Sequence, residues 1–143
     1  MAAADPQSKK WQLTINNPQD CGLDREHLLD ILSRFSLDYF ALCDEIASTG
    51  TPHTHVFLYA HSNLRFSTIL NRIPIAHIEK ALGTVQQNRD YIAKTGKWAN
   101  TDKAETQVEG SFYEWGTPPT EQEERSPAMS KLLQSVKDGR STM

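Results

Sequence analysis

Pro52-His53-Thr54-His55-Val56-Phe57-Leu58-Tyr59 begins with alternation and ends as an apolar run, the pattern of a strand entering a core. Side chains alternate along a strand, so His53 and His55 leave one face and Thr54 leaves the other. A lone histidine on a strand is most often structural, but two imidazoles on one face with a carboxylate nearby suit a divalent ion that accepts nitrogen and oxygen ligands. His55, inside the apolar run, is the stronger of the two. Upstream, Leu37 to Cys43 reads as a second strand, followed by Asp44-Glu45 and the connection Ser48-Thr49-Gly50-Thr51-Pro52. So short a connection makes the two strands antiparallel neighbours. It brings Asp44 or Glu45 to the histidines, and both carboxylates stand as candidates.

Working outward, Lys9 to Ile15 sets Trp11, Leu13 and Ile15 against Gln12 and Thr14, again strand periodicity, and Asn16-Asn17-Pro18 ends it. Asp24 predicts the N-cap of an amphipathic helix carrying Leu28, Ile31, Leu32 and Phe35. A helix over Arg65 to Ile73 is stopped by Pro74, and a short strand follows at His77 to Lys80. Thr84 with Gln87 fits a capping box, opening a helix on which Gln87, Tyr91 and Lys94 share a face, with Gly96 as its stop. Trp98 to Gly110 reads as a polar loop, Ser111 to Trp115 as a last strand, and Gly116-Thr117-Pro118-Pro119 as its close. The expected division is a disordered leader over 1–8, a domain over 9–117, and a linker over 118–143 that carries a short helical pattern at Met129, Leu132, Leu133 and Val136. Amphipathic helices laid on a sheet that holds antiparallel neighbours are compatible with an α+β chain.

The 143 residues fit one domain with a real core. No run approaches a membrane span, and Met1 to Asp5 lacks the apolar region of a signal peptide, so an intracellular protein without membrane partners is expected. Cys21 and Cys43 have no C-x-x-C spacing and suggest a reducing compartment. A net charge of -3 weighs against non-specific coating of nucleic acid. The charges are unevenly spread, however. Residues 11–60 carry Arg25 and Arg34 against seven acids, and residues 61–103 carry seven Lys or Arg against Glu79, Asp90 and Asp102. This asymmetry hints at a phosphate-facing side and nominates Arg65, Lys80, Arg89 and Lys97 as phosphate contacts.

On a helix a tyrosine is usually an amphipathic core residue, and a lysine a solvated charge. Tyr91 gains interest from Lys94 one turn on and from a metal ion across the site, because a phenol is mostly protonated at neutral pH and needs such help to attack a phosphodiester. Attack on phosphorus would leave a phosphotyrosine and a free 3′-hydroxyl.

Trp11 to Pro18, then Pro52 to Val56, then Asn88-Arg89-Asp90-Tyr91-Ile92-Ala93-Lys94 resemble, in order and spacing, motifs I, II and III of the HUH endonuclease domain of rolling-circle replication initiators. The segment His77 to Asn88 is similar to the part before the nucleophile in the Rep proteins of circoviruses and their single-stranded DNA virus and plasmid relatives. The resemblance implies a central antiparallel five-stranded sheet with flanking helices, related to the RNA-recognition-motif shape. It implies Mg²⁺ or Mn²⁺ held by His53, His55 and Glu45, with Asp44 the rival. It makes Tyr91 the nucleophile that nicks single-stranded origin DNA at a stem-loop and keeps the 5′ end, and Lys94 the residue that positions the phosphate. Asn16 and Asn17 would hold the DNA, and Gln87 would either cap its helix or reach a metal-bound water or a base. His55 stands where circoviruses often have Gln, which favours Mn²⁺ somewhat. Thr54 stands where a larger apolar residue is usual. Full-length relatives usually continue into a helicase domain that hydrolyses ATP, of which no phosphate-binding G-x-x-x-x-G-K-[ST] occurs here. The resemblance leaves room for homo-oligomers of such a full-length protein, in a bacterial cytoplasm or a host nucleus.

Two other readings compete. A non-catalytic single-stranded nucleic-acid-binding module would stack bases on Trp11, Phe57 and Tyr59. A hydrolytic metalloenzyme would activate water with His53, His55 and Glu45 and have no need of Tyr91.

Overall fold

The computed structural model describes residues 5–95 and 106–125. Strand β1 spans Gln7–Asn16, helix α1 Arg25–Ser33, β2 Tyr39–Ile46, β3 Pro52–Arg65, helix α2 Phe66–Arg72, β4 His77–Lys80, helix α3 Val85–Ala93, β5 Tyr113–Gly116 and helix α4 Glu121–Arg125. The strands form a five-stranded sheet in the order β4-β1-β3-β2-β5, and every pair is antiparallel. The expected α+β architecture is therefore what the chain adopts. The histidine strand lies at its centre.

The sheet's two faces are built from alternate residues of the same strands. Trp11, Leu13 and Ile15 of β1, Phe40 and Leu42 of β2, and Val56, Leu58 and Ala60 of β3 form one buried cluster with Leu28 and Leu32 of α1 and Ile69 and Ile73 at α2. Opposite alternation puts Tyr39, Ala41, Cys43 and Phe57 in a second cluster with Val85 and Ile92 of α3. The second cluster is smaller, and the polar residues of one sheet end continue its face. Trp11 and Phe57 lie in the two cores, 1% and 0% exposed, so two of the three aromatics of the binding-module reading are off the surface, and Tyr59 is half-buried.

Several boundaries differ from the sequence expectation. β1 starts at Gln7 within the expected leader, and Asp5 accepts hydrogen bonds from the Ser67 backbone N–H and hydroxyl at the start of α2. That contact orders the first described residues, because the carboxylate satisfies a backbone donor the helix leaves unpaired. β2 runs on through Asp44 and Glu45, since pairing with β3 continues to Ile46↔Pro52. The expected linker starts with α4, whose Glu124 accepts the Val85 backbone N–H at 2.7 Å and pairs with Lys10. Gly116, at φ 87°, closes β5 where a Cβ would collide with the Asp38 carbonyl. The Gly96 stop, Lys97, the loop from Trp98 to residue 105 and the Met129 to Val136 pattern lie outside the described residues.

Candidate active site

Register assembles the first half of the site. β3 lies between β1 and β2, so His53 is opposite Asn16 on one side and Glu45 on the other, and His55 is opposite Thr14 and Cys43. Cross-strand partners project to the same face. Glu45 therefore joins the histidines, and Asp44, one residue away, points to the α1 face with its partner Thr54. There Asp44 accepts from Thr54 Oγ1 at 2.8 Å and pairs with Arg25 at 3.0 Å. The choice between the two acids is thus made by pleat, in favour of Glu45. Thr54, 2% exposed, fills the place of a larger apolar residue by spending its hydroxyl on Asp44.

Glu45 Oε1 lies 3.8 Å from His53 Nε2, and Oε2 lies 3.5 Å from His55 Nε2. One ligand atom from each of the three residues falls within 4.8 Å of the others. Two imidazoles and one carboxylate form a donor set that suits a divalent cation, with water or substrate completing the shell. The residues present therefore fit the ion. Burial pushes the Glu45 carboxyl up, but the Lys94 ammonium and the two imidazoles outweigh it and hold the carboxyl below its usual range. The group is consequently a ready anion. Thr14 Oγ1 lies 3.4 Å from His55 Nδ1, helping to leave Nε2 facing Glu45. Thr106 donates to Glu45 Oε1 at 3.2 Å. Beside them Cys43, its thiol pushed by burial up to about 12, stays a protonated packing group.

The second half comes from α3. Its N-terminus is set by the capping box between Thr84 and Gln87 and by buried Asn88, which donates to the Leu82 and Thr84 carbonyls and accepts from Gln12 Nε2 on β1. Arg89 reaches across to Glu114 on β5 with two bonds of 2.8 and 2.9 Å, and Glu114 also accepts from Tyr39. These contacts clamp the helix on the sheet and place the Tyr91 ring 6.0 Å from the His55 ring, edge to face. The helix ends at Ala93, and Lys94 takes a left-handed backbone, φ 59° and ψ 44°. Such a conformation is unusual for a residue with a Cβ and costs about 1 to 2 kcal/mol. It corrects the expectation that Gln87, Tyr91 and Lys94 share a helical stripe: Lys94 lies past the stripe's end and turns under Tyr91. Its Nζ sits 4.0 Å from the Tyr91 ring centroid and 2.8 Å from Glu45 Oε2. One ammonium thus links the two halves.

The other nominated residues scatter. Gln87 spends its side-chain oxygen on the Thr84 N–H at 2.9 Å, so it caps its helix. Arg89 is committed to Glu114. Lys80 pairs with Trp11 and so leaves the face bearing α1 and α2. Arg65 ends β3, at the opposite end from His53. The basic half of the sequence is therefore not one basic surface among the described residues. Asn16 shares the face of His53, exposed. Asn17 takes a left-handed conformation and lines a cavity of about 350 Å³ that Arg25, Asp44, Thr54, Glu45 and His53 also line. Thr14 and Thr106 escaped the sequence reading. Thr14 has a signal, its place on the polar side of the β1 alternation, but only pairing with β3 shows what it meets.

The family described as "Putative viral replication protein" matches residues 8–95. The chain is 37% identical over 89 residues to Para-Rep C2 of Milk vetch dwarf C2 alphasatellite, covering 61% of this chain and 31% of that protein. It is 33% identical over 94 residues to the replication-associated protein of Porcine circovirus 1, covering 62% and 28%. Against that of Porcine circovirus 2 it is 35% identical over 91 residues, covering 62% and 28%. The matches span under a third of the length of these curated relatives. The family match runs from within β1 to the end of α3 and so takes in the strands and helix that supply Glu45, His53, His55 and Tyr91. With its motifs in order and its sheet assembled around them, the chain belongs to this family of viral replication proteins, with a circovirus-like Rep HUH domain.

Proposed function

We propose that this chain nicks and rejoins single-stranded origin DNA as the initiating domain of rolling-circle replication. The observation that carries the reading is the approach of Tyr91 to His55, 6.0 Å between rings, beside a carboxylate and two imidazoles able to hold a divalent ion. The relatives' names, replication-associated protein and Para-Rep, support replication as the process. Tyr91 Oη forms the new bond to phosphorus and loses its proton. The bond from phosphorus to the 3′ oxygen breaks, and that oxygen takes up a proton, leaving the 5′ end on Tyr91. An incoming 3′-hydroxyl reverses the step and rejoins the strand. Bound by Glu45, His53 and His55, Mn²⁺ or Mg²⁺ supplies Lewis-acid polarisation of the scissile phosphate. Lys94 brings a positive charge to the same phosphate, and the exposed Asn16 extends the face along which the strand would run.

The test is incubation with Mn²⁺ and a pool of stem-loop oligonucleotides whose loop is randomised. Wild type gives a protein-DNA band that survives denaturation, and Tyr91→Phe gives none. No band from wild type, or cleavage retained by Tyr91→Phe as water-based hydrolysis requires, would sink the reading.

A further inference from the structure

Lys94 is a lysine where lysines are rare. Its side chain is 1% exposed, and its Nζ sits 2.8 Å from Glu45 Oε2 as an ion pair. The ammonium is held there by charge. It also stands on the oxygen that faces His55 Nε2 at 3.5 Å, the direction from which a metal shared by Glu45 and His55 must approach. A dication and an ammonium drawn to the same carboxylate oxygen repel strongly in so dry a place. The alternative position is already prepared. Nζ already lies 4.0 Å from the centroid of the ring of Tyr91, the residue proposed to attack phosphorus.

We propose that Lys94 and the divalent ion compete for Glu45, so that metal entry releases the ammonium toward the phosphate at Tyr91. Linkage makes the effect reciprocal: a DNA phosphate that draws Lys94 off the carboxylate tightens metal binding by the same factor by which metal tightens DNA binding. Each ligand thereby prepares the site for the other, and the nucleophile's phosphate is neutralised only when both are present. This rests on Glu45, His53 and His55 as the metal ligands.

The test measures Mn²⁺ binding by electron paramagnetic resonance, in a Tyr91→Phe background so that no cleavage intervenes, with and without a single-stranded oligonucleotide. Lys94→Met is expected to bind Mn²⁺ on the order of tenfold more tightly, and to lose the further tightening that the oligonucleotide gives the parent. Equal or weaker Mn²⁺ binding by Lys94→Met, with Glu45→Gln still weakened, overturns the competition and leaves Lys94 as a residue that positions Glu45. If Glu45→Gln binds Mn²⁺ as the parent does, the metal assignment itself fails, and the competition with it. Should Lys94→Met not fold, the parent suffices: its Lys94 ε-methylene resonances shift on Mg²⁺ addition if the ammonium is displaced, and stay fixed if it is not.

Discussion

The two faces of this sheet use the same strands for opposite ends. Toward α1 and α2, alternate residues from Trp11 to Ala60 pack into a continuous apolar cluster, and Asp44 on that side is paired with Arg25. Toward α3, the intervening residues begin as the same kind of packing, Tyr39, Ala41 and Phe57, and give way at one end to Glu45, His53 and His55. The difference shows how a small domain keeps reactive groups in place. One face supplies stability, and the polar end of the other can hold a buried carboxylate, a buried ammonium and a left-handed lysine because the shared strands are fixed from behind.

The sharpest way to separate the faces is Tyr91→Phe. It removes one oxygen, should abolish the covalent adduct completely, and should leave the urea midpoint near wild type. Leu58→Ala does the reverse on the other face. Fully buried in the larger cluster, it should cost about 3 kcal/mol in equilibrium unfolding, yet the folded fraction should retain its affinity for Mn²⁺. A loss of metal affinity in that variant would mean the faces are coupled more tightly than alternation implies.

A finer contrast sets neighbours against each other. Glu45→Gln should weaken Mn²⁺ binding by at least the roughly 10- to 100-fold lost when a group behind a ligand is removed, and Asp44→Asn should leave it unchanged, because their side chains leave opposite faces. Calorimetric titration decides it, and equal losses would break the pleat assignment. The smallest effect concerns the clamp on α3. Arg89 hydrogen bonds hold the Glu114 carboxyl below its ordinary value of 4.5 despite partial burial. A carboxyl with a depressed folded pKa adds stability that is present above about pH 4.5 and is lost as pH falls through the folded value. Unfolding curves between pH 3 and 7 should therefore show a shallower acid limb in Glu114→Gln than in wild type; identical limbs would remove Glu114 from the clamp.

Much of this was legible in the chain. Alternation at Trp11 to Ile15 and at His53 to Tyr59, the Asp24 cap and the Thr84-Gln87 box are local signals, and each stands where expected. The motifs likewise named His53, His55 and Tyr91 as partners across wide gaps in sequence. Where the signal depends on what a residue meets, the chain was silent. Arg89 reads as a free charge until Glu114 arrives from β5, 25 residues away. Helical periodicity put Lys94 on a stripe with Gln87, and a left-handed residue after Ala93 took it off.

Sequence by itself determined the elements and the pair of imidazoles, since period two and period 3.6 are properties of the backbone that any local run of side chains reveals. The motif resemblance put Glu45 ahead of Asp44, but only the tertiary structure gave the physical ground for that choice and brought one buried ammonium to both the carboxylate and the tyrosine. Strand register decides the first and a helix end packed on a sheet decides the second, and both are settled by contacts between segments far apart in the chain.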